Sequence, residues 1–217
     1  RDIGVTGVQT CALPIFGLDN VFDYASKIGW LWRLATGPRF TMGNIDTPGQ
    51  PPRKMTTLAQ YVSSQFDASV TWKDMDWIRS EWKGKVAIKG LLRADDAKLA
   101  LDNGADGVIV SNHGGRQLDS SPSAIAALPA IADAVGDKIP VMMDGGVRRG
   151  SDIVKAMALG ASACLIGRAG LFGAAAGGQP GVERAIAILQ KEIDLTQALL
   201  GVPDLSKIDR SALFDTR

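Results

Sequence analysis

Apolar and polar positions along the chain change rhythm near residue 69. Before it, residues 19–35 (DNVFDYASKIGWLWRLA) set Val21, Phe22, Ala25, Ile28 and Leu31 at helical spacing behind an Asp/Asn start signal, which predicts one helix. Residues 36–68, rich in Gly, Pro, Thr and Gln, show little periodicity, and a stretch of that length is either functional or disordered. After it, short apolar runs alternate with helical patterns. WKDMDWIRSEW (72–82) predicts an amphipathic helix, VAIKG (86–90) a strand, RADDAKLALDNG (93–104) a helix ended by Gly104, and GVIVSN (107–112) a buried strand. SPSAIAALPAIADAVG (121–136) predicts a helix that Pro129 bends or divides, and PVMMDGG (140–146) a strand. SDIVKAMALG (151–160) predicts a helix capped by Ser151 and stopped by Gly160, and ACLIGR (163–168) a further strand. A last helix over 181–200 repeats Val182, Ile186, Leu189 and Ile193 and ends at Gly201 and Pro203.

Strands alternating with helices imply parallel βαβ units. Polar and glycine residues follow each strand directly: Lys89-Gly90, Ser111-Asn112-His113, Asp144-Gly145-Gly146 and Gly167-Arg168. Barrels and open doubly wound sheets both place ligands at those strand ends. A phosphate site after the final two strands favours the TIM (β/α)₈ barrel. Only four strands are legible, so the fold expected is the last four βα units of such a barrel. The expected organisation is a non-native or unassigned stretch at 1–16, with a native strand before the first helix as the alternative, a helix and long loop at 17–68, and the half-barrel at 69–217. In such a half, strand 86–90 would lack a neighbour on one side, and dimerisation or aggregation of the chain alone is expected.

Composition narrows the function classes. With 217 residues, 46% hydrophobic and 22% charged, the chain is in the ordinary globular range. A formal net charge of +1 argues against a nucleic-acid partner, which would need clustered excess Lys and Arg. Cys11 and Cys164 form neither a disulfide framework nor a metal-ligand spacing, which points to a reducing, cytoplasmic setting. No apolar run is long enough to cross a bilayer. The chain begins with Arg1, not Met, so a piece of a longer protein is expected.

Candidate chemistry concentrates in SNHGGRQLD (111–119). His113 is the sole histidine and stands at a strand end among glycines, where imidazole suits proton transfer near neutral pH. Arg116, three residues on, offers a planar fork of donors for a carboxylate. The bland alternative is a loop histidine beside a surface arginine. Lys89 ends an otherwise apolar strand, as a cation at a barrel mouth or a helix cap elsewhere. DGGVRRG (144–150) brings paired glycines, Arg148 and a helix start to an anion, and IGR (166–168) supplies a second loop of that kind. Together they read as one phosphate cradle, for a cofactor or a sugar phosphate. Neither loop is a Walker or GxGxxG pattern. The Trp30/Trp32 pair and the long loop after it fit either core packing or a membrane or partner surface.

VAIKG, SNHGGRQLD, DGGVRRG and IGR, in that order, resemble the FMN-dependent 2-hydroxy-acid dehydrogenase and oxidase family, which includes L-lactate dehydrogenase, glycolate oxidase and mandelate dehydrogenase. The resemblance implies FMN as cofactor and oxidation of a small 2-hydroxy acid, L-lactate first, to the 2-oxo acid. It makes His113 the proton acceptor and Arg116 the substrate-carboxylate ligand. Lys89 and Ser111 would contact the flavin ring system. Asp144, Gly145, Gly146, Val147 and Arg148 would hold ribityl and phosphate, with Gly167 and Arg168 closing the phosphate site. Electrons would pass to a quinone, a cytochrome or oxygen. The helix at 19–35 and GPRFTMGN are closer to the bacterial membrane-associated members, implying peripheral contact at the inner face of the plasma membrane. Full-length relatives are commonly tetramers. Their upstream half, with four more strands and an aspartate that orients the histidine, has no counterpart in residues 1–16, so the chain alone is expected to be inactive. Two alternatives stay open: a non-catalytic half-barrel that binds a phosphate ligand, and another phosphate-binding barrel of the inosine monophosphate dehydrogenase type. The latter needs a catalytic cysteine loop, for which Cys164, inside a strand, is a poor candidate.

Overall fold

The structure, a computed structural model, describes residues 18–37 and 64–214. The expectations for 1–16, for most of the 36–68 stretch and for Cys11 lie outside the described residues. The chain divides into two units at Val70/Thr71.

In the first unit the helix expected over 19–35 is two: α1 (Leu18–Ser26) and α2 (Ile28–Thr36). Lys27 leaves helical geometry between them, at φ −97° and ψ 55°. Tyr24 and Trp30 bridge the break with ring centroids 5.9 Å apart. α2 buries none of its side chains; Ile28, Trp30, Leu31, Trp32 and Leu34 are all exposed. Helical spacing alone could not reveal the break, because the apolar period continues across it.

The second unit carries the alternating elements. They are α3 (Asp74–Glu81), β1 (Ala87–Leu91), α4 (Ala94–Asp102), β2 (Gly107–Val110), α5 (Ala124–Val135), β3 (Val141–Asp144), α6 (Gly150–Ala158), β4 (Ala163–Leu165) and α7 (Arg168–Leu200). The four strands form one parallel sheet in the order β1-β2-β3-β4, so among the described residues β1 and β4 each have a strand partner on one side only. Val108, Val110, Val141 and Met143 pack into one core with Leu128, Ile131 and Val135 of α5. Those α5 positions, with Ala124 and Ala127, recur at three- and four-residue steps, so a single face of the helix is buried. Each large aliphatic side chain buried there contributes about 1.5–3 kcal/mol. Ala97 and Ala100 are fully buried, and their small size brings α4 close to this core.

Two expected boundaries change. α5 runs through Pro129 undivided, because the apolar face on both sides of it is buried against the same strands. α7 starts at Arg168 with a segment the sequence did not predict, and a non-helical break at Gly177-Gly178 separates that segment from the helix expected over 181–200. There the chain doubles back closely enough that a Cβ on Gly173 would lie 2.5 Å from the Gly181 carbonyl oxygen.

At the N-terminal ends of the strands, Asp106 accepts the Val86 N–H at 2.9 Å, Lys85 Nζ at 2.9 Å and the Arg79 guanidinium. The Val86 bond, then Arg79 and Lys85, hold its carboxyl well below the usual carboxylate range. This ties α3 and the starts of β1 and β2 together, leaving the opposite strand ends to the chemistry.

Candidate active site

Three consecutive strand tips meet through side chains. Lys89, in β1 just before its tip, donates to Ser111 Oγ at 3.0 Å and pairs with Asp144 Oδ2 at 2.8 Å. Ser111, just past β2, is 1% exposed, and its Oγ also accepts the His113 backbone N–H at 3.1 Å. Asp144 closes β3. Its second oxygen, Oδ1, is buried and has no partner among the described residues. An unpaired buried carboxylate oxygen is costly to leave unsatisfied, and such an atom marks a place where a donor is expected.

The segment after β2 makes a tight turn, His113–Gly115, which Asn112 organises. Asn112 Oδ1 accepts the Gly114 N–H at 3.0 Å and its Nδ2 donates to Pro122 O at 3.3 Å. His113 has φ 55°, the only positive φ of a non-glycine residue among the described residues. Its imidazole lies against Gly90 at the tip of β1. Gly114 in turn faces Arg168: a Cβ on it would stand 3.5 Å from the guanidinium. The loops after β1, β2 and β4 therefore touch. Arg116 follows the turn, exposed, with no hydrogen bond or ion pair among the described residues.

The two anion loops differ from the expectation. Gly145 and Gly146 have φ +90° and +78°, and nothing lies within 4 Å of a Cβ built on Gly146, so that backbone is open. Val147, expected at the cofactor, turns its side chain into the core at 8% exposure; only its peptide is free to face a ligand. The start of α6 is not an open anion site. The Arg148 and Arg149 N–H groups both donate to Asp152 Oδ2 at 3.0 Å, and the Gly150 N–H donates to Glu192 Oε2 at 2.7 Å. Ser151 is not the cap expected from sequence. Asp152 does that work, three residues into the helix from the extended Arg149. By contrast, Gly167 and Arg168 open α7 with no side-chain cap.

Sequence reasoning gave no role to Asn112 and Gly90, which it placed at strand ends, and did not single out Asp152 or Glu192. Asn two residues before a glycine signals an Asx turn, and Asp in the first turn of the expected helix signals a cap, so Asn112 and Asp152 were within reach. Glu192 arrives from α7, 42 positions away, and has no local signal. Burial pushes the Cys164 thiol up to about 11, which keeps it protonated and unsuited to nucleophilic work.

A family profile described as FMN-dependent dehydrogenase matches residues 9–215. The L-lactate dehydrogenase of Caulobacter sp. (strain K31) is 47% identical over 214 residues, covering 98% of this chain and 55% of the relative. The crystal structure of the monotopic membrane protein (S)-mandelate dehydrogenase superposes with a TM-score of 0.84 at 39% identity, over 92% of this chain and 52% of that one. A flavocytochrome b2 variant with pyruvate bound matches with a TM-score of 0.64 at 36% identity, over 73% of this chain and 43% of that one. The chain thus spans about half the length of the relatives it matches, and its four parallel strands correspond to part of their TIM barrel. On its sequence and on its fold, the chain belongs to the FMN-dependent dehydrogenase family.

Proposed function

We propose that the chain carries the proton acceptor, the carboxylate clamp and the anion-holding loops of an enzyme that oxidises L-lactate, or a similar 2-hydroxy acid, to the 2-oxo acid. The residues fit FMN. Lys89 offers a cation beside a flavin ring, Asp144 Oδ1 is an acceptor waiting for a ribityl hydroxyl, and the open Gly145-Gly146 backbone admits close approach. The uncapped α7 start with Arg168 suits a phosphate, since orphan N–H groups and the helix dipole both favour an anion. Ser111, the Val147 peptide, Arg148 and Gly167 complete the set. FMN, when bound, supplies the two-electron acceptor.

The chain's own groups do the rest. Arg116, exposed beside the turn and without an ion pair among the described residues, grips the substrate carboxylate as a bidentate fork. His113, over the β1 tip, accepts the proton released from the α-carbon or its hydroxyl. Lys89 is held between Ser111 and Asp144, and a cation fixed there offsets negative charge developing at the reacting end. The observation that carries the reading is the junction of Lys89, Ser111 and Asp144 with His113 beside it on three adjoining strand tips.

The open edges of β1 and β4 suit pairing with four further strands, as an eight-stranded barrel requires. The reduced enzyme would pass its electrons to a quinone, a cytochrome or oxygen. No helix of the described residues is long and apolar enough to cross a membrane. α2, with Trp30 and Trp32 exposed beside Arg33, suits lying at a bilayer surface, in keeping with peripheral contact at the inner face of the plasma membrane.

Reconstitution tests the reading. The chain is expected to take up FMN and turn yellow, and L-lactate is expected to bleach that colour in the protein carrying all eight strands. A chain that stays colourless overturns the reading. In the full-length enzyme His113→Ala should turn over at least about a hundredfold more slowly, the usual cost of a lost acid–base group. Near-normal turnover in that variant would remove His113 from its role.

A further inference from the structure

The imidazole of His113 needs a defined place, and among the described residues no hydrogen bond holds either of its ring nitrogens. Its main chain is fixed, by φ 55° and by the bond from its N–H to Ser111 Oγ. The ring itself rests on Gly90. A Cβ built on Gly90 would lie 2.9 Å from His113 Cε1, and 3.7 and 3.8 Å from Nδ1 and Nε2. The ring therefore approaches Gly90 with its Cε1 corner first, leaving the two nitrogens to either side at nearly equal distance.

Gly90 is also where β1 departs from regular pairing. Its φ is +102°, and the register with β2 slips between Lys89, opposite Ile109, and Leu91, opposite Val110. In an unbroken strand Lys89 and Leu91, two apart, would share a face. The extra residue sends Leu91 into the core under the helices while Lys89 keeps its bonds to Ser111 and Asp144. One glycine thus serves two ends. It aims the lysine, and its bare α-carbon leaves the space the imidazole fills.

We propose that Gly90 is a positioning residue for His113: the bulge at the tip of β1 is the seat of the imidazole, and only a residue without a Cβ leaves that seat open. The significance of the seat for catalysis rests on the reading of His113 as proton acceptor; the seat itself does not.

Because His113 is the sole histidine, its Cε1–Hε1 correlation in the NMR spectrum of the ¹³C-labelled full chain reports on one ring. An NOE from Hε1 to the Gly90 Hα protons is expected. Gly90→Ala should abolish it and move the ring correlation. Gly104→Ala serves as the control, since φ there is +84° but a Cβ would meet only Arg79 Nε at 3.7 Å. It carries similar backbone strain and should leave the ring correlation where it is. A wild-type chain lacking the NOE, or a Gly90→Ala ring correlation at the wild-type position, overturns the proposal. Thermal unfolding gives a second arm that tolerates a poorly folding variant. Gly90→Ala should lower the melting temperature less in a His113→Ala background than in the wild type, or fold only in that background. Equal losses in both backgrounds overturn the seat. None of these readouts involves flavin or turnover, so an active His113→Ala enzyme would end the functional reading and leave the seat standing, and a missing NOE would do the reverse.

Discussion

The helix starts after β3 and β4 look alike in sequence, each a glycine and arginine loop leading into a helix, but the protein treats them in opposite ways. At α6 the first N–H groups are already taken by the protein's own carboxylates, Asp152 from within the helix and Glu192 from α7. At α7 no side chain caps the start, and Arg168 stands against the loop that carries His113. A helix N-terminus attracts an anion only while its donors are unspent. On the proposed reading, the first loop would offer a ligand its open Gly145-Gly146 backbone and Arg148, whereas the second would offer a helix start that no side chain caps among the described residues.

The strongest way to break the comparison is to open the closed start. A Cβ on Gly150 would lie 2.4 Å from Ile193 N and 2.6 Å from Leu189 O, so α6 and α7 touch backbone to backbone. Gly150→Ala should destabilise the fold by about 3 kcal/mol, the upper range for overpacking, and lower the melting temperature by roughly 6–12 °C in calorimetry. An unchanged melting temperature would mean that the helices do not cross so closely. Next is the open start itself. Arg168→Ala should weaken FMN binding by about tenfold to a hundredfold, the worth of a charge-assisted hydrogen bond, while riboflavin binding, which lacks the phosphate, stays the same. Fluorescence titration with both flavins separates the two, and equal losses would count against a phosphate role.

Asp152→Ala removes the cap of α6 and should cost about 1 kcal/mol in a denaturant titration, without favouring riboflavin over FMN. A last test lies at the far end of the sheet, where Asp106 holds α3 to the starts of β1 and β2. Its folded carboxyl ionises below the ordinary value because of the Val86 bond, Arg79 and Lys85. The stability it adds is therefore present above the unfolded value of about 4 and is lost as pH falls towards the depressed folded one. Asp106→Asn should be less stable than the wild type at neutral pH, with the gap narrowing below about pH 4. A gap that stays constant down to pH 2 would deny the carboxylate this part.

Much of this was legible in sequence because the signals were local. The four strands announce themselves as β-branched or apolar runs, and α5 by its three- and four-residue steps, since burial of one face imposes those periods wherever the element sits. The string SNHGGRQLD put His113 at a strand tip for the same reason. The break at Lys27 and the first turns of α7 were not legible. In one the apolar period carries straight across, and in the other GRAGLFGAAAGG has the small-residue content of a loop. Val147 was read with its neighbours in DGGVRRG, yet its side chain belongs to the core.

The sequence by itself determined the order of elements, the parallel βαβ plan, the family and the residue types gathered at the strand ends, all of which follow from short-range periodicity and motif. Only the tertiary structure decided which donors remain free. Glu192 reaches Gly150 from 42 positions away, Lys89 bridges two other strands, and the His113 ring settles on a bulge in β1. Those outcomes depend on distances between segments remote in the chain. Whether a hydrogen-bonding group is spent or available is a property of what packs beside it.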